Sequence, residues 1–334
     1  MEKKRCLILA STLALVIGFV FLPPYAHSAT KFLTIGSTST SSSHYSYFVA
    51  VGKIINENLS GVNATVVATG ASIDNIKRMA KGQADMGLVT LDAGYMAYHG
   101  IGSWKEPPVK KQRVLWLYMT TAVHYVVRED SGVKTLYDLN KKKFHPGMRG
   151  SASEASAMAI LKLLGIEPDY HRGDTADAVA AVKDKRIVGI SKSGLGKGFD
   201  ASIMDIATFT PLRVLEFTDR EIQKVSAQMP YISWTTVPAG TIKGMGDFKT
   251  VANVNFVMGV EEIPEEIVYR MVKAICTNMA TQEAAFPAMK GLNIPKGTLE
   301  AVTSVSNPMP LHPGAVRYFK EIGLTVPKEV IPGK

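Results

Sequence analysis

The chain has 334 residues, of which 46% are hydrophobic and 20% are charged, and its formal net charge is +9 at pH 7. This composition excludes a disordered or fibrous protein, and the length favours two domains with a sizeable hydrophobic core. The basic residues are scattered, and no basic run longer than Lys141-Lys142-Lys143 occurs with interleaved aromatic residues, so we expect no nucleic-acid partner but a surface that mildly attracts anions.

The N-terminal segment has the layout of a secretory signal. The basic triplet Lys3-Lys4-Arg5 precedes an apolar run at residues 6–22, and small residues follow up to Ser28. We therefore predict a signal peptide at residues 1–28, cleaved near Ser28, and an exported, periplasmic protein; as a membrane anchor the run would be marginal. Cleavage removes three basic residues and one acidic residue, which lowers the formal charge from +9 to +7. It also leaves Cys276 as the single cysteine, so no internal disulfide is expected.

Three strand-turn-helix units follow. Apolar strands are predicted at residues 31–35, 62–68 and 86–89. Each is followed by a turn and by apolar residues at helical spacing, such as Phe48 and Val51 after the first strand. Successive units of this kind favour a parallel sheet with helices on its faces.

The pattern changes after the third unit. Two apolar runs, at residues 114–119 and 123–127, are separated by only three residues, as in a chain that leaves one sheet for another. A second α/β series and a second extended segment follow this crossing. We predict strands at residues 141–145, 187–190 and 251–260, and helices at residues 150–164 and 174–183, from Pro264 through Met279, and from His312 to Gly323.

These elements predict an α/β protein with two lobes and a ligand cleft between them. The first lobe is expected to comprise residues 29–119 and 253–334, and the second lobe residues 120–252. Two extended crossings would join the lobes and form a hinge, so that strand and helix ends face each other across the cleft.

The hydroxyl-rich turn after the first strand is unusual in composition. It lies between a strand and an amphipathic helix, so its hydroxyls are expected at a helix N-terminus, where free backbone N–H groups and the positive end of the helix dipole favour an anion. The alternatives are a flexible serine linker or simple capping of the helix. The ligand-binding candidates of this turn are Ser39, Thr40, Ser41, Ser42, Ser43, His44 and Tyr45.

Three further loops are candidates for ligand contact. Ser72 follows a strand in the same way, although it can merely cap its helix. Arg149 suits a carboxylate if it faces the cleft, and is otherwise a solvated surface charge. Lys192, in a loop predicted after the 187–190 strand, is a weaker candidate for anion binding and more typical of a surface charge. The ligand-binding candidates of the three loops are Thr69, Gly70, Ala71, Ser72, Arg149, Gly150, Ser151, Ser153, Lys192 and Ser193.

Motifs of catalysis are missing from the sequence. It contains no Cys-x-x-Cys, His-Glu-x-x-His or Gly-x-Ser-x-Gly motif, no P-loop and no dinucleotide-binding glycine pattern. The six histidines after residue 28 are 20 or more residues apart, so the local spacing of metal ligands is absent. We therefore expect a protein that is not an enzyme and that uses no cofactor or metal.

Several segments, in this order along the chain, resemble the TAXI family of extracytoplasmic solute-binding proteins, which serve TRAP transporters. These segments are Leu33-Thr34-Ile35-Gly36 with the hydroxyl-rich turn, residues 68–75, residues 82–89, residues 92–100, residues 126–133, Val237-Pro238-Ala239-Gly240-Thr241, residues 263–269 and Leu311-His312-Pro313-Gly314-Ala315.

The resemblance spans essentially the whole mature chain. It implies a two-lobed periplasmic-binding-protein fold of type II-like architecture, which closes on a small organic anion of the carboxylate or acidic amino acid type. Such a protein delivers its ligand to the subunits of a TRAP-type membrane permease without catalysis. The ligand positions of the family correspond to residues 39–45, 69–72 and 150–154, and we add Thr90 and Asp92 to the candidates. We expect a monomer.

The chain departs from the family pattern at the expected ligand positions. Ser41-Ser42 stands where the family usually has Gly-Gly, and His44 replaces the first aromatic residue of a pair. Ala71 and Ala152 replace glycine, and Thr90-Leu91 replaces a commonly polar pair. Added methyl and hydroxymethyl groups reshape a cavity, so the ligand of a relative cannot be assigned to this protein.

Two other functions fit the same architecture. A periplasmic signalling subunit would use the same closure to engage a sensor kinase or chemoreceptor, and a neighbouring gene for such a sensor would favour it. An enzyme on a two-lobed fold is a third reading, which the absence of catalytic motifs disfavours.

Overall fold

The computed structural model describes residues 30–333, and the signal peptide predicted for residues 1–28 therefore lies outside the described residues. The strands are β1 (Lys31–Gly36), β2 (Val62–Val67), β3 (Met86–Thr90), β4 (Gln112–Arg128), β5 (Lys143–His145), β6 (Asp169–Tyr170), β7 (Gly189–Ser193), β8 (Leu212–Leu215), β9 (Ser233–Val237) and β10 (Phe248–Val260).

Helices alternate with these strands and follow β10 to the end of the described chain. They are α1 (Ser43–Asn58), α2 (Ser72–Ala80), α3 (Leu91–His99), α4 (Ala152–Leu164), α5 (Thr175–Lys183), α6 (Ala201–Phe209), α7 (Asp219–Gln228), α8 (Glu265–Thr277), α9 (Met279–Ala285), α10 (Ile294–Val302) and α11 (Pro313–Glu321). None of the helices within residues 30–333 combines the length and the apolar character that a membrane span requires.

The first three strands form the parallel sheet that the sequence predicts. Strand β1 lies between β2 and β3 and is parallel to both, and β10 adds to β3 in the antiparallel direction. Helix α1 turns Tyr47, Phe48 and Val51 into the core that covers this sheet. We call the part of the molecule built on β1, β2 and β3 the first lobe.

The second lobe is the part built on β5, β6 and β7. Strand β5 is parallel to both β6 and β7, while β7 and β8 each pair with the C-terminal half of β4. Two separate hydrophobic clusters cover this sheet, one around Phe144 and Leu161 and the other around Ile190 and Ile206. A sheet with apolar clusters of this kind is typical of an α/β layer architecture.

Strands β4 and β10 connect the two lobes. Strand β4 pairs with β10 up to Ala122 and with β7 from Val123 onward, and β10 pairs with β9 at its other end. The two predicted runs are thus one 17-residue strand that passes from one sheet to the next. The intervening Thr121 does not break the strand, because it is buried and its hydroxyl lies 2.6 Å from the Ser193 hydroxyl. The predicted lobe limits remain a prediction, since both strands run through the junction.

One predicted loop is wrong. Ser191, Lys192 and Ser193 belong to β7, where Lys192 pairs with His124 of β4. Three consecutive polar residues resemble a loop when they are read alone, but pairing with β4 holds them in a strand. The sequence analysis also did not assign the short elements β6, α6, β8, α7, β9, α9 and α10.

Candidate functional site

A small polar cavity lies where the two lobes meet. We call it the inner cavity; its volume is about 40 Å³. Two asparagines, one lysine and one histidine line it, together with a few apolar side chains. Most of the remaining lining consists of nine hydroxyl-bearing residues, Thr38, Ser42, Ser72, Thr90, Ser151, Ser153, Thr175, Ser191 and Ser193.

Five helices begin at the inner cavity. The first or capping residues of α1, α2, α3, α4 and α5 all line it, and these helices come from both lobes. The first N–H groups of a helix have no partner within the helix, and they carry the positive end of its dipole. In α4 the Ser151 hydroxyl accepts a hydrogen bond from the Glu154 N–H at 3.1 Å, while Ala152 and Ser153 line the cavity. This convergence favours a negatively charged group in the cavity.

Three of the serine hydroxyls are poised to donate. The Ser72 hydroxyl oxygen accepts from the Thr90 N–H at 3.2 Å, and the Ser153 oxygen accepts from the Asn253 side-chain amide at 3.1 Å. Ser151 accepts in the same way from Glu154, as described above. Each oxygen therefore has one acceptor position filled by the protein, which leaves its O–H group as the available donor. Ser72 comes from the first lobe, whereas Ser151 and Ser153 come from the second.

Lys192 supplies positive charge, and a buried carboxylate balances it. Its ammonium group donates to the Ser42 hydroxyl at 3.0 Å and lies 3.7 Å from the Asp200 carboxylate, which is fully buried. Burial alone would raise the pKa of Asp200, but Lys192, His44 and the hydrogen bonds from Ser202 lower it to about 2. Asp200 therefore stays ionised at neutral pH, and the pair as a whole is neutral.

His44 joins the two lobes as a neutral side chain. Its Nε2 lies 3.2 Å from the Gly194 carbonyl oxygen and its Nδ1 lies 2.8 Å from the Tyr118 hydroxyl. A carbonyl oxygen can only accept, so Nε2 carries the proton and Nδ1 accepts from the Tyr118 O–H. Burial, assisted by the nearby Lys192, lowers the pKa of His44 to about 4.

Direct hydrogen bonds hold the lobes together around the cavity. The carbonyl oxygen of Gly150 in the second lobe accepts from the N–H groups of Ile73 and Asp74 in the first, each at 3.1 Å. On another side the Ser156 hydroxyl donates to the Asp92 carboxylate at 2.6 Å. The structure is therefore that of closed lobes.

A second, wider depression lies outside the cavity at the mouth of the cleft. This outer groove has a volume of about 510 Å³, and Arg78 and Arg149 line it. Arg78 is bound to Asp74 at 2.9 Å, whereas the Arg149 side chain is exposed. Arg149 therefore stands at the entrance and does not line the inner cavity.

The predicted ligand-binding residues fall into four groups. Those that line the inner cavity are Ser42, His44, Ala71, Ser72, Thr90, Ser151, Ser153, Lys192 and Ser193. Those that line the outer groove are Ser39, Thr40, Ser41, Thr69, Gly70 and Arg149. Ser43, Asp92 and Gly150 make hydrogen bonds between the lobes. Tyr45 is half-buried and lines neither depression.

The sequence analysis missed several residues of the inner cavity. Asn253 and Asn255 line it from β10, and Thr38 and Thr175 line it from the turn after β1 and the start of α5. The two asparagines stand at alternate positions in an otherwise apolar strand, so they share one face, and this was the available signal. Asp200 precedes a helix and caps it, which is the ordinary pattern for an N-cap.

No metal centre can be assigned. Within residues 30–333 there is no group of three or more His, Cys, Asp or Glu side chains arranged to hold a metal ion.

The two sheets, the two connecting strands and the cavity between the lobes define the fold of two-lobed periplasmic solute-binding proteins. Solved structures with this fold are similar to the chain at low sequence identity. A putative L-cystine ABC transporter protein from Listeria monocytogenes has a TM-score of 0.50 and 13% identity, and covers 79% of this chain and 98% of its own. The alkanesulfonate-binding protein SsuA from Xanthomonas axonopodis pv. citri, bound to MOPS, has a TM-score of 0.48 and 12% identity, over 88% of this chain and 92% of its own.

The amino-acid sequence assigns the chain to a family, which the fold alone does not do. The profile of the NMT1-like family matches residues 35–323, which is most of the chain, so this protein belongs to the NMT1-like family.

Proposed function

We propose that this protein is an extracytoplasmic solute-binding protein of the TAXI type. It is exported to the periplasm by a cleaved signal peptide and acts as a monomer. It captures a small organic anion, of the carboxylate or acidic amino acid type, between its lobes and delivers it to a TRAP-type permease. The observation that carries this proposal is the inner cavity, where helix N-termini and serine O–H donors from both lobes converge around Lys192.

The arrangement supplies a physical reason for closure. An anion in the inner cavity accepts hydrogen bonds from Ser72 of the first lobe and from Ser151 and Ser153 of the second. It therefore binds the closed form more tightly than either lobe alone, and closure follows from this difference in affinity. Nothing in this process requires a covalent step, so the function is capture and release.

The permease type rests on the sequence resemblance and not on the similar structures. One of those structures, the protein from Listeria monocytogenes, is described as a putative L-cystine ABC transporter. Uptake assays distinguish the two cases, because a TRAP permease is driven by an ion gradient and an ABC importer by ATP hydrolysis. Transport that stops on collapse of the sodium or proton gradient but continues without ATP supports the proposal.

The binding step has a direct test. Protein purified under native conditions is denatured and the released small molecules are identified by mass spectrometry. The identified compound, added at 100 times its dissociation constant, should stabilise the ligand-free protein by about 2.7 kcal/mol. A broad panel of organic acids and amino acids that gives neither a released compound nor a thermal shift contradicts the proposal.

A further inference from the structure

An asparagine of the inner cavity has an acceptor oxygen without a partner. The Asn255 side-chain nitrogen donates to the Met119 carbonyl at 3.1 Å, to the Thr121 hydroxyl at 3.1 Å and to the Asn253 carbonyl at 2.9 Å. Two of these partners are backbone carbonyls, which only accept, so the orientation of the amide is fixed. No donor within residues 30–333 reaches the Asn255 Oδ1 atom, although the residue is only 2% exposed and lines the cavity.

The free Asn255 Oδ1 atom can accept a hydrogen bond from a donor group on the ligand. A ligand in the cavity withdraws this oxygen from water, and an acceptor withdrawn without a hydrogen bond costs free energy, so a bound molecule that carries an O–H or N–H group at this point is favoured. Asn253 lies beside Asn255 and is 4% exposed. Its side-chain nitrogen donates to Ser153, while no described residue donates to its side-chain oxygen, so this oxygen is a second free acceptor. The inner cavity therefore has an acceptor side as well as a donor side.

The two sides of the cavity are adjacent. Ser153 belongs to the donor side at the start of α4, and its hydroxyl lies 3.1 Å from the Asn253 side-chain nitrogen. A ligand that satisfies both sides must therefore carry its donor close to its anionic group. A donor on the carbon next to a carboxylate meets this requirement.

The charges around the cavity argue against an ammonium group as that donor. The charge of Lys192 is already balanced by Asp200, and no carboxylate is among the described residues that line the cavity. Asp200 already interacts with Lys192, with Ser42 and with the backbone N–H of Ser43, and Asp92 is bound to Thr90 and Ser156. A ligand ammonium would thus be buried near Lys192 without an anionic partner, whereas a neutral hydroxyl carries no such penalty.

The volume limits the length of the ligand. A bound water needs roughly 10–15 Å³ of such space, so a cavity of about 40 Å³ holds about three waters. This small space favours a molecule with few non-hydrogen atoms over a six-carbon acid.

We propose that the ligand is a short 2-hydroxy acid of two to four carbons. Its carboxylate lies at the start of α4 near Lys192, and its hydroxyl group donates to the Asn255 side-chain oxygen. This inference rests on the proposed function, because it narrows the anion that the closed lobes capture.

Three molecules with the same three-carbon skeleton test the inference. Lactate, propanoate and L-alanine differ only in the group next to the carboxylate, which is hydroxyl, hydrogen or ammonium. We expect isothermal titration calorimetry on ligand-free protein to show lactate binding tighter than propanoate and L-alanine by roughly 10- to 100-fold, because a ligand without the hydroxyl leaves the Asn255 oxygen unpaired. Citrate and L-glutamate should bind more weakly than lactate because of their size.

Each of the other possible orders of affinity overturns a different step of the inference. Equal affinity for propanoate overturns the role of Asn255, and tighter binding of L-alanine overturns the argument from charge. Tightest binding of citrate or L-glutamate overturns the size limit. All three results leave solute capture intact, whereas an absence of binding by every acid contradicts both this inference and the proposed function.

A variant at the acceptor side provides an independent check. The Asn253→Asp variant keeps the shape of the side chain and places a carboxylate in the cavity, while Ser153 can reverse its hydrogen bond and donate. Lactate affinity should fall at least about tenfold, and the preference for lactate over L-alanine should shrink, because an ammonium now has a partner. Asn63→Asp, at an exposed asparagine of β2, is the matched control and should change neither. Unchanged lactate binding by a folded Asn253→Asp variant overturns the inference.

Discussion

Replacing Gly70 with alanine tests whether ligand binding depends on the close approach of the two lobes. Gly70 lies in the first lobe, and a Cβ atom placed on it would lie 2.9 Å from the carbonyl oxygen of Arg149 in the second lobe. The backbone of Gly70 is not in the left-handed region, so alanine adopts it without strain. The added methyl group therefore acts mainly on the junction between the lobes.

The size of the effect follows from the neighbouring hydrogen bonds. Relief of the clash requires a displacement of about half an ångström to reach ordinary van der Waals contact. The Ile73 and Asp74 N–H groups donate to Gly150, the residue after Arg149, at 3.1 Å each, and the same displacement lengthens both bonds past the useful range. Two such bonds contribute about 2 kcal/mol together. Because the ligand binds the closed form, its dissociation constant should rise about 30-fold.

Calorimetry with the ligand identified by mass spectrometry measures the change, and small-angle scattering measures closure. Gly246→Ala is the matched control, because a Cβ atom there meets nothing within 4 Å. The new methyl group of Gly70→Ala also comes within 3.1 Å of the Asp74 Cβ atom in the same lobe, so the free energy of unfolding is measured as well. A dissociation constant within about threefold of the parent value, in a variant that still closes, refutes the reasoning.

Three further predictions concern charged and titratable groups. Lys192→Met should raise the pKa of Asp200 from about 2, because the buried carboxylate loses its partner. The free energy of unfolding at pH 7 should fall by roughly 3 kcal/mol. Urea denaturation measures this free energy, and a loss under about 1 kcal/mol contradicts the prediction. Because the pKa of His44 is lowered from 6.5 to about 4, the unfolded chain takes up a proton between these pH values that the folded protein does not. The contribution of His44 to the free energy of unfolding should therefore be fully present above pH 6.5 and fall by on the order of 3 kcal/mol toward pH 4. In melting curves recorded across this pH range, the His44→Asn variant should lack this dependence. An unchanged pH profile in that variant excludes His44 as the cause. Arg149→Ala should slow ligand association at low ionic strength while changing the dissociation constant less than about threefold, because an exposed charge steers a ligand without being desolvated; a tenfold rise in the dissociation constant would instead place Arg149 at the ligand.

The sequence predicted the parts of the fold that are encoded locally. Strands β1, β2 and β3 each precede a helix whose apolar spacing is visible within about 15 residues, and their parallel order follows from that alternation. The crossing at residues 114–127 was also visible, because its two apolar runs nearly touch. Strand β7 was cut short, since Lys192 and its serine neighbours are held in the strand by pairing with residues of β4 far away in sequence.

The candidate site was predictable to the same extent. Ser42, Ser72 and Ser151 were found because a hydroxyl before an amphipathic helix marks a helix N-terminus, and anions bind there. Asn255 was missed because its meaning depends on β10 passing beneath the cavity, which only the folded chain shows. Arg149 was predicted to contact the ligand because it is an arginine in a loop before a helix. It lines the outer groove instead, and no local sequence pattern distinguishes the mouth of a cleft from its interior.

Two of the departures from the TAXI pattern, Ser42 and His44, lie together at the start of α1. Ser42 stands in place of a glycine. Its hydroxyl oxygen accepts a hydrogen bond from the Lys192 ammonium group and lies 3.4 Å from the Asp200 carboxylate. His44, which stands in place of an aromatic residue, packs edge-on against Tyr118 and donates to the Gly194 carbonyl in the second lobe. A glycine at position 42 would leave Lys192 without this acceptor, and a hydrophobic aromatic ring at position 44 would leave the Gly194 carbonyl without a donor. The replacements therefore support one another, and each adds a polar contact between the lobes that a relative with glycine and an aromatic ring cannot make.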